Sequence, residues 1–175
     1  MQTVGQRIVV LGITGSGKST LARELSNIYG YNYIELDNLF WKPNWEQTPK
    51  LEWREIVKEI IQKDNWIIEG NFNSTLELRI ERADTIIFFD IPRFICLWNA
   101  TKRVIKGKYF KVERDDITKG CNEKFDLLFY KWIWNYNKSV RPRYLNLLDS
   151  LKSEKRVIIF NNYRAVNRFL EQLNN

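Results

Sequence analysis

Gly12-Ile13-Thr14-Gly15-Ser16-Gly17-Lys18-Ser19 directly follows the apolar run Ile8-Val9-Val10-Leu11. The stretch fits G-x-x-x-x-G-K-[ST], a phosphate-binding loop. Its glycines let the chain curl so that successive N–H groups point inward at phosphate oxygens. The helix that follows turns its positive end toward the same anion. The nucleotide-contacting residues expected from this reading are Gly12, Thr14, Gly15, Ser16, Gly17, Lys18, Ser19 and Thr20. Lys18 is expected to reach the β- and γ-phosphates, and the Ser19 hydroxyl to ligate Mg²⁺. Leu21, Ala22, Leu25 and Ile28 recur at helical spacing after the loop, which sets it at a strand-to-helix junction. The implied ligand is a nucleoside triphosphate, ATP with Mg²⁺.

Outward from the loop, strands and helices alternate. Arg7–Leu11, Tyr33–Leu36, Trp66–Glu69, Asp84–Phe89 and Arg156–Phe160 read as strands. Ser19–Tyr29 reads as a helix closed by Gly30, and a second helix, capped by Thr48 with Pro49 at its first position, runs to about Lys63. Ser74-Thr75-Leu76-Glu77 has the form of a capping box opening a short helix. Pro92 opens another helix, and helices are expected over 122–138, on to about Leu151, and from Tyr163 to Leu173. This alternation predicts an α/β fold with a parallel sheet and right-handed crossovers. Ligands then sit at the carboxyl ends of the strands, where Asp37, Glu69, Asp90 and Asn161 fall.

The 175-residue chain is long enough for one domain with a real core. It contains no histidine, which removes Ser-His-Asp and Cys-His hydrolases and imidazole acid–base chemistry. Carboxylates, Lys, Arg and a hard metal remain, and phosphoryl transfer needs little more. The formal charge of +7 suits anionic ligands, whether nucleotides or nucleic acid. Cys96 and Cys121 are far apart and read as reduced thiols of a cytoplasmic protein. Met1 leads almost directly into the first strand, leaving no room for a signal peptide, and no run approaches a membrane span.

Individual residues carry further expectations. Asp37, at the end of the second strand, could take the proton of a hydroxyl acceptor, or position a phosphate acceptor or a metal-bound water. Ile86-Ile87-Phe88-Phe89-Asp90 has the hydrophobicity of a strand ending in a metal-shell acid, so Asp90 competes with Glu69 for the Mg²⁺ shell. Trp41 and Trp45 lie in a loop near Asp37 and could wall an acceptor pocket. Phe125, Phe129, Trp132 and Tyr136 recur at helical spacing, as a buried face does.

The P-loop, Leu36-Asp37-Asn38-Leu39-Phe40-Trp41-Lys42-Pro43-Asn44-Trp45, Trp66-Ile67-Ile68-Glu69-Gly70-Asn71-Phe72, Asp90-Ile91-Pro92-Arg93 and Gly120-Cys121-Asn122-Glu123 occur in that order. The chain thereby resembles the DNA topology-modulation (FlaR-like) proteins, which are similar to adenylate kinase and other nucleoside monophosphate kinases. The resemblance implies the P-loop nucleoside triphosphate hydrolase fold: a five-stranded parallel sheet of order 2-3-1-4-5 with a helical lid at about 107–121. It implies Glu69 for the Mg²⁺ shell, Arg103 and Arg114 on the transferring phosphoryl group, and Asn161 at the base. Asn99 falls where adenylate kinases usually carry an arginine. Glu69-Gly70-Asn71-Phe72-Asn73 replaces their Asp-Gly-Phe-Pro-Arg, with Arg79 as the substitute arginine. The acceptor, a small molecule or a nucleotide, is then expected between Asp37, Trp41, Asn71 and Arg79. The implied activity is ATP-dependent phosphotransfer; the family name also admits a nucleotide-dependent regulator that binds nucleic acid through its basic surface.

Overall fold

The computed structural model describes residues 4–110 and 127–174. In chain order the elements are β1 (Arg7–Gly12), α1 (Lys18–Tyr29), β2 (Tyr33–Glu35), α2 (Leu36–Phe40), β3 (Trp41–Lys42), a 3₁₀ turn (Pro43–Trp45), β4 (Glu46–Gln47) and α3 (Lys50–Ile60). Then follow β5 (Trp66–Glu69), α4 (Asn73–Arg82), β6 (Thr85–Phe89), α5 (Arg93–Phe110), α6 (Leu127–Ser139), α7 (Arg141–Leu151), β7 (Arg156–Phe160) and α8 (Tyr163–Asn174).

The main sheet has five strands, all parallel, in the order β2-β5-β1-β6-β7. Numbered over every strand, this differs from the expected 2-3-1-4-5. The difference is the antiparallel β3–β4 hairpin, a separate two-stranded sheet that takes two places in the chain between β2 and β5. Leaving the hairpin out, the sheet strands in chain order run 2-3-1-4-5. The central strands β1, β5 and β6 are buried on both faces, as their unbroken apolar runs require. Alternate residues serve opposite layers. Ile8, Val10, Ile67, Ile87 and Phe89 pack with α1, α5, α6 and α8. Val9, Leu11, Trp66, Ile68, Ile86 and Phe88 pack with α3, α4 and α7.

Several local expectations shift. β2 ends at Glu35, so Asp37 lies in the first turn of α2 and does not terminate a strand. Residues 38–48, read as irregular, contain most of α2 and the hairpin. Residues 107–110 continue α5 as helix, and the rest of the expected lid, with Arg114 and Cys121, lies outside the described residues. The capping box does not form: α4 begins at Asn73, its N-cap position is Phe72, and no side chain caps it. Phe129 is half-buried and Tyr136 buried, but Trp132 of the expected apolar face is 40% exposed. Phe125 lies outside the described residues.

Arg79 is the largest departure. Its side chain is fully buried. Nη1 donates to the Gly70 carbonyl at 2.9 Å, Nη2 to those of Asn71 and Phe72 at 2.8 and 3.1 Å, and Nε to that of Thr75 at 3.4 Å. Burial pulls the guanidinium down to about 10, so it stays charged at neutral pH. Arg79 therefore clamps the loop after β5 from inside and is withdrawn from the substrate-binding set. Arg79→Ala strands those buried carbonyls, and is expected to lower the unfolding free energy by about 3 kcal/mol or more; urea unfolding followed by tryptophan fluorescence measures it.

Candidate active site

The loop between β1 and α1 is shaped by close backbone packing. Gly15 has φ +75, and a Cβ there would lie 2.5 Å from the Cys96 carbonyl oxygen. Gly12 has φ +138, and its Cβ would meet the Phe89 carbonyl oxygen at 2.6 Å. No other residue type fits either place. Helix α1 starts after Gly17 with no side-chain cap and no acid in its first turn. Its leading amides are thus left for an external anion. The Ser16 hydroxyl is fully buried in the loop without a protein partner. Uncapped amides, an orphaned hydroxyl and the Lys18 ammonium together fit a polyphosphate.

Pairing of β1 with β5 sets Val10 beside Glu69. The buried Glu69 carboxylate is thereby delivered to the loop. The Lys18 ammonium lies 3.3 Å from one Glu69 oxygen, and Ser19 Oγ donates to the other at 3.1 Å. Lys18 also donates to the Ile13 carbonyl at 3.1 Å. Asp90, the rival acid, is held elsewhere: Arg141 Nε and Nη2 donate to its two oxygens at 2.6 and 2.7 Å. This bidentate pair ties the start of α7 to the end of β6. Of the two acids, only Glu69 meets the P-loop side chains. Among the described residues no group of three or more His, Cys, Asp or Glu forms a metal cage. A magnesium ion needs none here, since it is usually held by one or two oxygen side chains with phosphates and waters. The adjoining oxygens of Ser19 and Glu69 fit that role.

Asp37 faces the same centre from α2. Its carboxyl is raised above the usual aspartate range, first by partial desolvation and then by the like charge of Glu69. Lys18, a hydrogen bond from Trp41 and the charge of Arg103 pull the other way. The residue is nonetheless open to water. Lys18, Glu69, Trp41 and Arg103 all bear on the Asp37 carboxyl. Trp41 stacks edge-on with Trp45 at 5.6 Å and with Phe40 at 5.0 Å. Trp45 has φ +63, a left-handed conformation that a bulky residue rarely adopts.

The other expected residues fall as follows. Asn71 is drawn into the loop's own support: it accepts from the Gly12 amide at 3.1 Å and donates to the Gly12 carbonyl at 2.9 Å. Both polar ends of its amide are used on the backbone, so it positions the P-loop and does not reach out to an acceptor. Thr14 is partly exposed and Thr20 exposed on the loop and first turn. Asn161 is exposed at the carboxyl end of β7, where its side-chain oxygen accepts from Asn162.

Three further residues support the site in roles the sequence did not show. Asn99 Nδ2 donates to the Gly15 carbonyl and to Tyr163 Oη, each at 2.9 Å. The Tyr163 ring lies against Gly17, 3.3 Å from where a Cβ would be. Arg141 neutralises Asp90. Each pairing joins distant parts of the chain. Cys96, behind the loop, is buried, and burial pushes its thiol up to about 12.

No family model matches the chain. It is 29% identical over 126 residues to an adenylate kinase of Clostridium botulinum, across 55% of this chain and 59% of that enzyme's length. An adenylate kinase of Treponema denticola is 25% identical over 182 residues, 95% of this chain and 81% of the enzyme. The bifunctional shikimate kinase/3-dehydroquinate synthase of Thermotoga maritima matches at 26% over 73 residues, 35% of this chain and 15% of that protein. This distant similarity supports a nucleotide-kinase-like role on a P-loop kinase-like fold. The topology-modulation resemblance rests on the sequence motifs alone. Among the described residues no helix is long and apolar enough to cross a membrane.

The two acids make separable predictions. Glu69→Gln is expected to raise the Mg²⁺ concentration needed for nucleotide binding by about 10–100-fold. Asp90→Ala is expected to leave that requirement unchanged while costing about 1–3 kcal/mol of stability. Calorimetric titration of nucleotide at graded Mg²⁺, with urea melts of both variants, separates the roles.

Proposed function

We propose that this protein is a P-loop phosphotransferase that moves the γ-phosphoryl group of ATP to an acceptor held beside Asp37 and Trp41. The observation that carries this reading is the meeting of Lys18, Ser19 and Glu69 at the uncapped start of α1, with a second carboxylate opposite. A pure phosphate-binding loop would need no facing carboxylate. The loop amides bind the phosphates and Lys18 stabilises charge on the group in transit. Magnesium held at Ser19 and Glu69 would neutralise phosphate charge. Arg103 of α5 is proposed to supply a further cation for the phosphoryl oxygens. Arg114 is proposed to join it from the lid, and Asn161 to lie at the nucleobase. Adenylate and shikimate kinases among the relatives favour ATP as the donor. We place the protein in the cytoplasm, where ATP is available.

One observation favours the second reading, a nucleotide-dependent regulator binding nucleic acid. Neither α5 nor α6 contains an Asp or Glu, and they expose Phe94, Trp98 and Trp134 beside Arg93 and Lys102. Phosphate contacts of that kind give an affinity that falls steeply with salt.

Lys18→Ala is expected to cut protein-dependent transfer from labelled ATP by about 10²–10³-fold. Unchanged transfer in this variant overturns the assignment. Tight, salt-sensitive duplex binding in a protein that transfers nothing from ATP favours the regulator.

A further inference from the structure

We infer that the groove between α4 and α7 is a docking site for a second copy of this chain. The partner fills it with the aromatic, basic edge of its own α5 and α6, and two such contacts close a two-fold dimer. The inference is independent of how the P-loop site is used.

The groove has a volume of about 780 Å³, within the range of sites that enclose a whole ligand. Leu76 and Ile80 of α4 line it with Tyr144, Leu147 and Leu151 of α7. Tyr144 is fixed in place: its hydroxyl donates to Asn73 Oδ1 at 2.9 Å, and its ring stacks on Phe88 at 5.7 Å. The groove is therefore formed before a partner arrives. Three carboxylates belong to it, Glu77 and Glu81 one turn apart on α4, and Glu154 beyond α7. Its cations are Arg143 and Lys155. Lys155 is spent inside the fold, where it donates to the Glu81 and Ala83 carbonyls at 3.1 and 2.8 Å and closes the end of α4. Arg143 is left to face three carboxylates. In a chain of formal charge +7, this is an apolar groove with acidic edges.

What fits it is apolar surface that brings positive charge along. The edge of α5 and α6 has that composition. Phe94 and Trp98, one turn apart on α5, are 61% and 60% exposed. The exposed Trp134 of α6 packs edge-on against Phe94 at 5.6 Å. The Arg93 guanidinium lies 4.1 Å from the centre of the Trp134 ring and 5.2 Å from that of Phe94. The Lys102 ammonium, one turn past Trp98, lies 4.9 Å from that ring's centre. Clustered rings of this size left open to water mark an interaction surface. Each carries a cation with it, so this edge is repelled by its own copy and drawn to the carboxylates of the groove.

The two surfaces adjoin. Ser139, at the end of α6, lines the groove. Trp134 lies five residues earlier on the same helix, about 7.5 Å along its axis. A two-fold axis beside the α6–α7 junction brings each aromatic edge to the other copy's groove at once. Such a contact is self-complementary and closed. Using it twice doubles the buried area, as a stable interface requires.

Sedimentation velocity of the full-length protein at rising concentration, in low and high salt, tests this. The expected species is a dimer that weakens as salt rises. Glu77→Lys with Glu81→Lys reverses the groove, and Arg93→Glu with Lys102→Glu reverses the edge. Each double variant is expected to be monomeric. Their equimolar mixture is expected to dimerise again, because both contacts of the mixed pair join opposite charges. Trp98→Ala, which changes no charge, is expected to weaken dimerisation by about 10–100-fold. Circular dichroism melts establish that the variants are folded; Trp98→Ala decides alone where a charge variant is not. A native protein that stays monomeric at every concentration overturns the inference. A dimer that neither charge reversal weakens overturns it too, as do reversed variants that the mixture does not restore. Assemblies that grow beyond two copies overturn the two-fold closure. A monomer that binds single-stranded oligonucleotide, and loses it in Trp98→Ala, gives the aromatic edge to nucleic acid and overturns the inference.

Discussion

The carboxylate of Glu69 is 3% exposed, and everything at the loop depends on how that buried charge is met. An unpaired carboxylate at such a depth is costly enough to neutralise or to unfold its surroundings. Here Lys18 meets one oxygen and Ser19 the other. Both partners are P-loop residues, so compensating the charge and shaping the loop are one event. The partnership requires β5 to lie beside β1 with Val10 opposite Glu69. A register slip of one residue would turn the carboxylate to the other face of the sheet. Sheet register and phosphate-binding geometry are therefore coupled through a single side chain.

The loop is then braced from two further directions. Asn71 grips both polar groups of Gly12 at its entry, and Asn99 holds the Gly15 carbonyl at its crest. Behind Asn71 stands Arg79, fixing the 70–72 carbonyls. These supports come from the loop after β5, from α4 and from α5. A site built this way pays little reorganisation when an anion arrives, which is where electrostatic catalysis gains most.

What could be read from the sequence and what could not divide along chain separation. The P-loop, the apolar central strands and the Gly30 cap are local patterns, and Arg156–Phe160 forms the strand its residues predict. The hairpin was missed because strands of two residues carry no periodicity. Asp90 reads as a metal-shell acid only while its partner is unknown, and Arg141 lies 51 residues away. Asn99 and Tyr163 meet the loop from 84 and 148 residues off. Arg79 misleads for a different reason. Arginine is almost never fully buried unless its donors are satisfied, and backbone carbonyls from a neighbouring loop leave no mark in the sequence.

The same geometry carries an electrostatic consequence for phosphate binding. With no anion present, Lys18 is committed to Glu69 and to the Ile13 carbonyl. A triphosphate brings about four negative charges, of which Mg²⁺ cancels two. A bound triphosphate would compete for the Lys18 ammonium, and Ser19 with the Glu69 carboxylate that Lys18 gives up would then be placed to hold Mg²⁺. On the proposed reading, nucleotide and metal binding would thus be linked through Lys18 and Glu69.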